Sequence, residues 1–284
     1  MSPFQRHIDA CNNLPSLAGL LPFRIGGDQV GWLGPDLVRA LGAFPEAIEV
    51  DAGGAALAGR LRSPAARTEA LAAIARALAE QGRFRLRGED FDVRAGEEGP
   101  VLARLDRGAL PAFGIRAAGV HVNGRVMRRD GLHLWVGWRA KHKSVAPGKL
   151  DNLIAGGVPA GLGIEETLVK EAGEEASVPP DLARQARRVG RVSYVMRGEG
   201  GIRRDLLHCF DLDLPEGFVP RPNDDEVERF ELWPVRRVYE AVRDTDDVKF
   251  NVNLVLIDLF LREGLIDPAG AEGQGLRAGL EQGA

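Results

Sequence analysis

Glu171, Glu174 and Glu175 stand at i, i+3 and i+4, so a helix carries all three carboxylates on one face. Side chains spaced in this way lie within about 6 Å of one another and repel unless something cationic sits among them. The opposite face of that helix bears Ile164, Leu168 and Ala172, which suit a core. A carboxylate ridge backed by a packed face can hold a hard cation such as Mg2+ or Mn2+. The Gly-rich turn ahead of the helix (Gly156, Gly157, Gly161, Gly163) lets a phosphorylated ligand approach the backbone, and Gly156 can offer its carbonyl to the ion. Arg139, Lys141 and Lys143 lie upstream, and their cations can hold a diphosphate whose bridging bond lies over the metal. The chemistry that such a set supports is metal-assisted hydrolysis of a small-molecule diphosphate. The metal neutralises phosphate oxygens and activates water, while basic groups stabilise the leaving phosphate. Acidic runs are more often solvated helix faces. The preceding glycines, the basic segment and the flanking strand-like runs favour a site.

Positioning these groups requires a sheet and a helix. Strand-like runs occupy Ala117–Val122, Leu132–Trp138, Leu150–Ala155, Arg188–Val195, Leu206–Leu212 and Glu228–Leu232. Helices are expected over about Ile164–Ala176, Pro234–Val242 and Phe250–Arg262. These elements make up a second unit, residues 113–265. Residues 1–112 form a smaller α+β unit. It has a short helix over Pro3–Asn13, a pair of strands around Gly26-Gly27-Asp28, and a helix opened by Ser63-Pro64 and ended by Gly82. Further strands are expected at Phe84–Leu86 and Val101–Leu105, with an acidic loop over Arg94–Pro100 between them. The Gly/Ala-rich tail, residues 266–284, is expected to be poorly ordered. Whether the first unit widens the ligand pocket or forms a homodimer stays open.

Composition narrows the function. The chain has 284 residues and a net charge of −4, which argues against broad nucleic-acid binding. No long uninterrupted apolar stretch suggests a membrane span. The start has no signal-peptide pattern. Cys11 and Cys209 are far apart and read as reduced thiols of a cytoplasmic protein. His121, His133 and His208 sit in strand-like runs without matched ligand spacing and read as structural. Trp135 and Trp138 fall on opposite faces of their strand. Four of the five lysines lie between positions 141 and 170, beside the proposed site.

The stretch Gly156–Val178 resembles the Nudix box, the loop-helix-loop signature of Nudix hydrolases. Gly156, Lys170-Glu171, Ala172, Glu174-Glu175 and Val178 fit its pattern. Leu162 stands where the first Glu is expected, Lys170 replaces Arg, and Ser177 replaces Gly. In the family that first Glu mostly orients the loop and helix, and the later carboxylates do the metal work. The resemblance implies an α+β fold, a Nudix α/β/α sandwich with a mixed sheet, preceded by the smaller N-terminal domain. It also implies that Glu174 and Glu175 act in catalysis, with Glu226 or Glu228 as an acid supplied by a late loop. Phe113–Gly124, Leu134-Trp135, Leu150–Gly157, Asp224–Trp233 and Phe250–Gly264 are similar to one Nudix subgroup, found alone or fused to thiamine pyrophosphokinase. The first unit, with Val30-Gly-Trp-Leu33, is similar to that subgroup's extra N-terminal domain. This implies hydrolysis of thiamine diphosphate, or its oxidised analogues, to the monophosphate. Two other readings are a non-catalytic module that senses a nucleotide or cofactor, and an isomerase of the isopentenyl-diphosphate kind. The latter would want a Cys and Glu pair.

Overall fold

The computed structural model describes residues 2–14, 16–198 and 200–283. The chain opens with helix α1 (Gln5–Cys11), then the hairpin β1 (Leu21–Ile25) and β2 (Asp28–Leu33) around the Gly26-Gly27 turn. Helix α2 (Pro35–Leu41) leads to β3 (Ile48–Asp51) and β4 (Gly54–Leu57), and β1 pairs in parallel with β4. Helix α3 (Pro64–Glu80) is opened by Ser63, whose hydroxyl accepts the Ala66 N–H. Leu71, Ile74, Ala75 and Leu78 form its buried stripe. A second hairpin, β5 (Asp90–Val93) with β6 (Ala103–Asp106), and the turn α4 (Leu110–Phe113) complete the N-terminal unit. Apart from α1, these elements share one apolar core, with Phe23, Leu71, Phe91 and Phe113 inside it. The strand expected at Phe84–Leu86 does not form; β5 lies a few residues later, where Phe91 and Val93 alternate inward.

The second unit is built on a mixed sheet in the order β11-β12-β7-β8-β13. Its strands are β7 (Arg116–Arg128), β8 (Gly131–Arg139), β9 (Leu150–Asp151), β10 (Ile154–Gly157), β11 (Arg187–Gly198), β12 (Gly201–Asp213) and β13 (Val227–Pro234). Strand β7 is long enough to serve two partners along one edge. Its first half pairs with β10 and its second half with β8, while β12 runs parallel along the other edge. Helices α5 (Ile164–Ala176) and α6 (Pro180–Ala183) cover one face. Helices α7 (Val235–Asp244), α8 (Phe250–Arg262) and α9 (Ala271–Gly279) cover the other, together with α1. Leu168, Ala172 and Ala176 of α5 pack on Val120, Val122 and Phe210. Leu254, Ile257 and Leu261 of α8 lie in the opposite core with Val192, Leu207 and Cys209. Trp135 and Trp138 do fall on opposite sides.

The chain ends depart from expectation. Phe4, Ile8 and Cys11 pack into the core beneath α8, so α1 belongs structurally with the second unit. The tail is ordered. Leu276 and Leu280, one turn apart, bury themselves in that same core. Its glycines permit close approach: a Cβ at Gly279 would strike the Ile8 side chain. The tail also clamps β11, because Ser193 N–H donates to Leu280 O and Gly283 N–H donates back to Ser193 O. A Gly/Ala-rich composition therefore serves tight packing here rather than disorder.

Candidate functional site

Helix α5 begins at Gly163, whose N–H donates to Glu166 Oε2 at 2.8 Å, half of a capping box. It ends at Ser177, which adopts φ 52° and ψ 33°. This left-handed position favours glycine, and a serine here costs about 1–2 kcal/mol. Ser177 Oγ offsets part of that by donating to Arg221 O at 3.0 Å, which also ties the 215–226 loop to the helix end. Asn223 adds a bond to Gly173 O at 3.1 Å.

The three box carboxylates differ in setting. Glu171 lies against Gly156 so closely that a Cβ there would overlap its carboxylate. That contact is the local reason for glycine at 156. Glu175 is only 7% exposed and accepts the Ala155 N–H at 2.9 Å. Glu174 is half exposed. Lys170 Nζ bridges Glu174 at 2.5 Å and Glu171 at 3.2 Å, so a cation already stands between two of the acids. Burial pushes Glu171 above the usual carboxylate range against the opposing pull of Lys170. Burial, then the like charge of Asp151, pushes Glu175 up to about 8.

Of the basic residues expected to bind phosphate, Arg139 is not presented for it. Its guanidinium is buried and donates to Asp151 Oδ2 at 2.7 Å, to Val145 O at 2.9 Å and to Ala146 O at 3.2 Å. Arg139 therefore shapes the 140–149 loop from inside. Lys141 is exposed, and its backbone N–H donates to Glu228 Oε1 at 3.3 Å. Lys143 Nζ meets Glu226 Oε1 at 2.5 Å. The expected basic segment and the expected late acid are thus brought together, because Val227 pairs with Arg139 in the sheet.

Sequence reading missed a buried relay between the two halves of the site. Asp151 Oδ2 accepts from both Arg139 and Lys249 Nζ, the latter at 3.0 Å. Burial alone would raise Asp151, but Lys249 and Arg139 outweigh it and hold its carboxyl low. Burial lowers the Lys249 ammonium. His121, beside this group, bonds Asn152 Oδ1 at 2.8 Å, and burial lowers it to about 4, so it is neutral at pH 7. No spacing rule joins Asp151 to Lys249, 98 residues away. A second missed group crosses from the N-terminal unit. Glu97 reaches Arg191 at 2.7 Å and Arg188 at 3.3 Å, beside buried His208. His133 and His208 have structural partners, as expected.

The Nudix domain profile matches residues 118–252, and residues 3–117 match a domain of unknown function, DUF4743. Over 272 residues the chain is 38% identical to "Nudix hydrolase 24, chloroplastic" of Arabidopsis thaliana, spanning 94% of this chain and 74% of that one. The chain belongs to the Nudix hydrolase family. It is a Nudix-type pyrophosphohydrolase with an additional N-terminal domain. "Nudix hydrolase 20, chloroplastic" of the same plant is 37% identical over 279 residues, with 94% and 75% of the two chains covered. Among solved structures, DR0079 of Deinococcus radiodurans aligns at 19% identity and a TM-score of 0.43, covering 67% of this chain and 98% of that one.

Nudix hydrolases generally use divalent ions such as Mg2+ or Mn2+. Among the described residues, no three His, Cys, Asp or Glu side chains already converge as a ready-made cage. The donor chemistry nevertheless fits a hard cation. Every donor is oxygen, burial raises both Glu171 and Glu175, and Lys170 Nζ already stands as a cation between Glu171 and Glu174. The isomerase reading finds no support: Cys209 is buried in the core on the α8 side, across the sheet from α5, and burial pushes its thiol far up. Among the described residues no helix is long and apolar enough to cross a membrane.

Proposed function

We propose that this enzyme uses Mg2+ or Mn2+ to split the diphosphate of a small molecule, thiamine diphosphate or an oxidised analogue of it, to the monophosphate. The observation that carries the hydrolytic reading is the pairing of Glu171 against Gly156 with an inward Glu175 whose carboxyl burial and Asp151 hold near 8. Burial and the Asp151 charge disfavour the ionised Glu175 carboxylate, and a bound cation would favour it. Glu171, Glu174, Glu175 and the Gly156 carbonyl would hold the ion. When bound, it supplies charge neutralisation at the phosphate oxygens and a more acidic water. Lys141 and Lys143 hold the phosphate that leaves. Glu226, paired with Lys143, would exchange a proton with water once phosphate draws that lysine away. The thiamine assignment rests on the likeness of the whole series of segments, Phe113–Gly124 through Phe250–Gly264, to the subgroup that also occurs fused to thiamine pyrophosphokinase. The free, buried cysteines support a reducing compartment such as the cytoplasm.

The test is release of monophosphate from a panel of diphosphates with Mg2+: thiamine, oxidised thiamine, ADP-ribose, a nucleoside diphosphate, coenzyme A and NADH. The expected result is preferred turnover of the thiamine compounds, lost in Glu171→Gln. Preferred turnover of another member overturns the substrate. Tight binding of one member without turnover of any would replace hydrolysis by sensing.

A further inference from the structure

The box lacks its first carboxylate. Leu162 stands in that place, 36% exposed, and cannot hold the loop by a charge or a hydrogen bond. The loop is nevertheless well satisfied: Val158, Leu162 and Gly163 find partners within the Nudix domain, and Ala160 and Gly161, at its centre, find theirs in the N-terminal domain. Ala160 N–H donates to Asp90 O at 2.7 Å. Gly161 N–H, in the left-handed conformation at φ +84°, is directed at Asp92 Oδ2 at 3.4 Å. The Phe91 ring fills the space where a Cβ of Gly157 would lie. These three residues are consecutive on β5.

The hairpin that presents them has a firm base. Phe91 and Val93 of β5 and Ala103 and Leu105 of β6 are buried in the N-terminal core. Arg94 Nη2 at 3.1 Å and Arg104 Nε at 3.3 Å lie beside the Asp92 carboxylate. Asp92 is mostly buried, and its Oδ1 has no hydrogen-bond partner among the described residues. The two guanidiniums offset the charge of Asp92 and fix its carboxylate at the loop, Arg104 from the Oδ1 side and Arg94 from the Oδ2 side.

We propose that β5 is the brace of the Nudix loop in this enzyme. The Asp90 carbonyl, the Phe91 ring and the Asp92 carboxylate take over the positioning role of the missing box carboxylate. This assigns the DUF4743 domain a task at the hydrolytic site: it completes the loop from outside the Nudix domain. The inference rests on the reading of that loop as part of a hydrolase site. Asp92 and Phe91 are positioning residues, acting through Gly157 and Gly161 on the Gly156–Glu171 contact. A one-ångström displacement there is enough to lower a rate.

The test uses the full chain with Asp92→Ala, Asp92→Asn and Phe91→Leu. Phe91→Leu keeps an apolar core while withdrawing the ring tip from Gly157. Hydrogen exchange over residues 158–163 is read without metal, so it reports on the loop whether or not any diphosphate is turned over. Asp92→Ala and Phe91→Leu are expected to speed exchange there at least about fivefold, with helices α3 and α8 unchanged. Asp92→Asn, which keeps an acceptor, stays near wild type. Hydrolysis should fall about tenfold in Asp92→Ala, with a matching rise in the Mg2+ concentration for half-maximal rate. Adding Leu162→Glu to Asp92→Ala should recover much of both losses. Exchange within twofold of wild type in both loop variants overturns the brace. Failure of Leu162→Glu to recover the rate overturns the claim that β5 substitutes for the missing carboxylate. If wild type turns over nothing, the functional reading fails, and the exchange data still decide the brace.

Discussion

Replacing Glu175 by Gln is expected to stabilise the metal-free protein while abolishing hydrolysis. The carboxyl is buried, accepts one backbone N–H from Ala155, and is raised from 4.5 to about 8 by burial and by Asp151. Between those two values the native chain keeps a proton that the unfolded chain has released, so metal-free stability falls as pH rises from about 4.5 to about 8. Each pH unit is worth about 1.4 kcal/mol, so the loss by pH 7 is on the order of 3 kcal/mol. Gln keeps an acceptor for the Ala155 N–H and carries no titrating proton, so its loss over this range is smaller. At pH 7.5 with a chelator, Glu175→Gln should unfold about 5 °C above wild type, and the gap should close toward pH 4.5. Mn2+ should reverse the ranking, because the bound ion stabilises only the chain that can ligate it. Hydrolysis should fall at least about 100-fold, since even outer partners of a metal cost 10–100-fold. Parallel stability curves from pH 4.5 to 8 in wild type and variant would refute the reasoning. They would mean that Glu175 is ionised and satisfied without a cation.

Three further outcomes separate structural from functional cations and test the tail. Arg139→Ala strips one partner from buried Asp151 and the donors from Val145 O and Ala146 O, so it should cost about 3 kcal/mol in chemical denaturation. Lys141→Ala should leave stability within about 0.5 kcal/mol and raise KM for the diphosphate about fivefold, a loss near 1 kcal/mol. Leu276→Ala, in a tail expected from composition to be disordered, should cost about 2–5 kcal/mol and lower the melting temperature, whereas a disordered tail would leave it unchanged.

How far sequence reading reaches here depends on whether a residue's partner is local. Helix α5 was readable because its carboxylates and its apolar stripe repeat at helical spacing, and periodicity is a short-range signal. Lys170 was readable as a neighbour of the ridge for the same reason. Arg139 looked like a phosphate ligand because its type and place fitted one. Its actual partner, Asp151, lies across a loop whose closure no pattern announces. Lys249 and Glu97 were invisible because their partners are 98 and more than 90 residues away. The tail's composition misleads because glycine signals freedom in isolation, yet Gly279 and Gly283 are pressed against Ile8 and Tyr194. The same limit bears on the departures from the box pattern. Leu162 and Ser177 look like losses when the motif is read alone. In the fold, Ser177 is held by Arg221 O and the loop around Leu162 by β5, so each departure coincides with a contact from outside the motif. Degeneracy in a signature is then informative about where the rest of the chain must touch it.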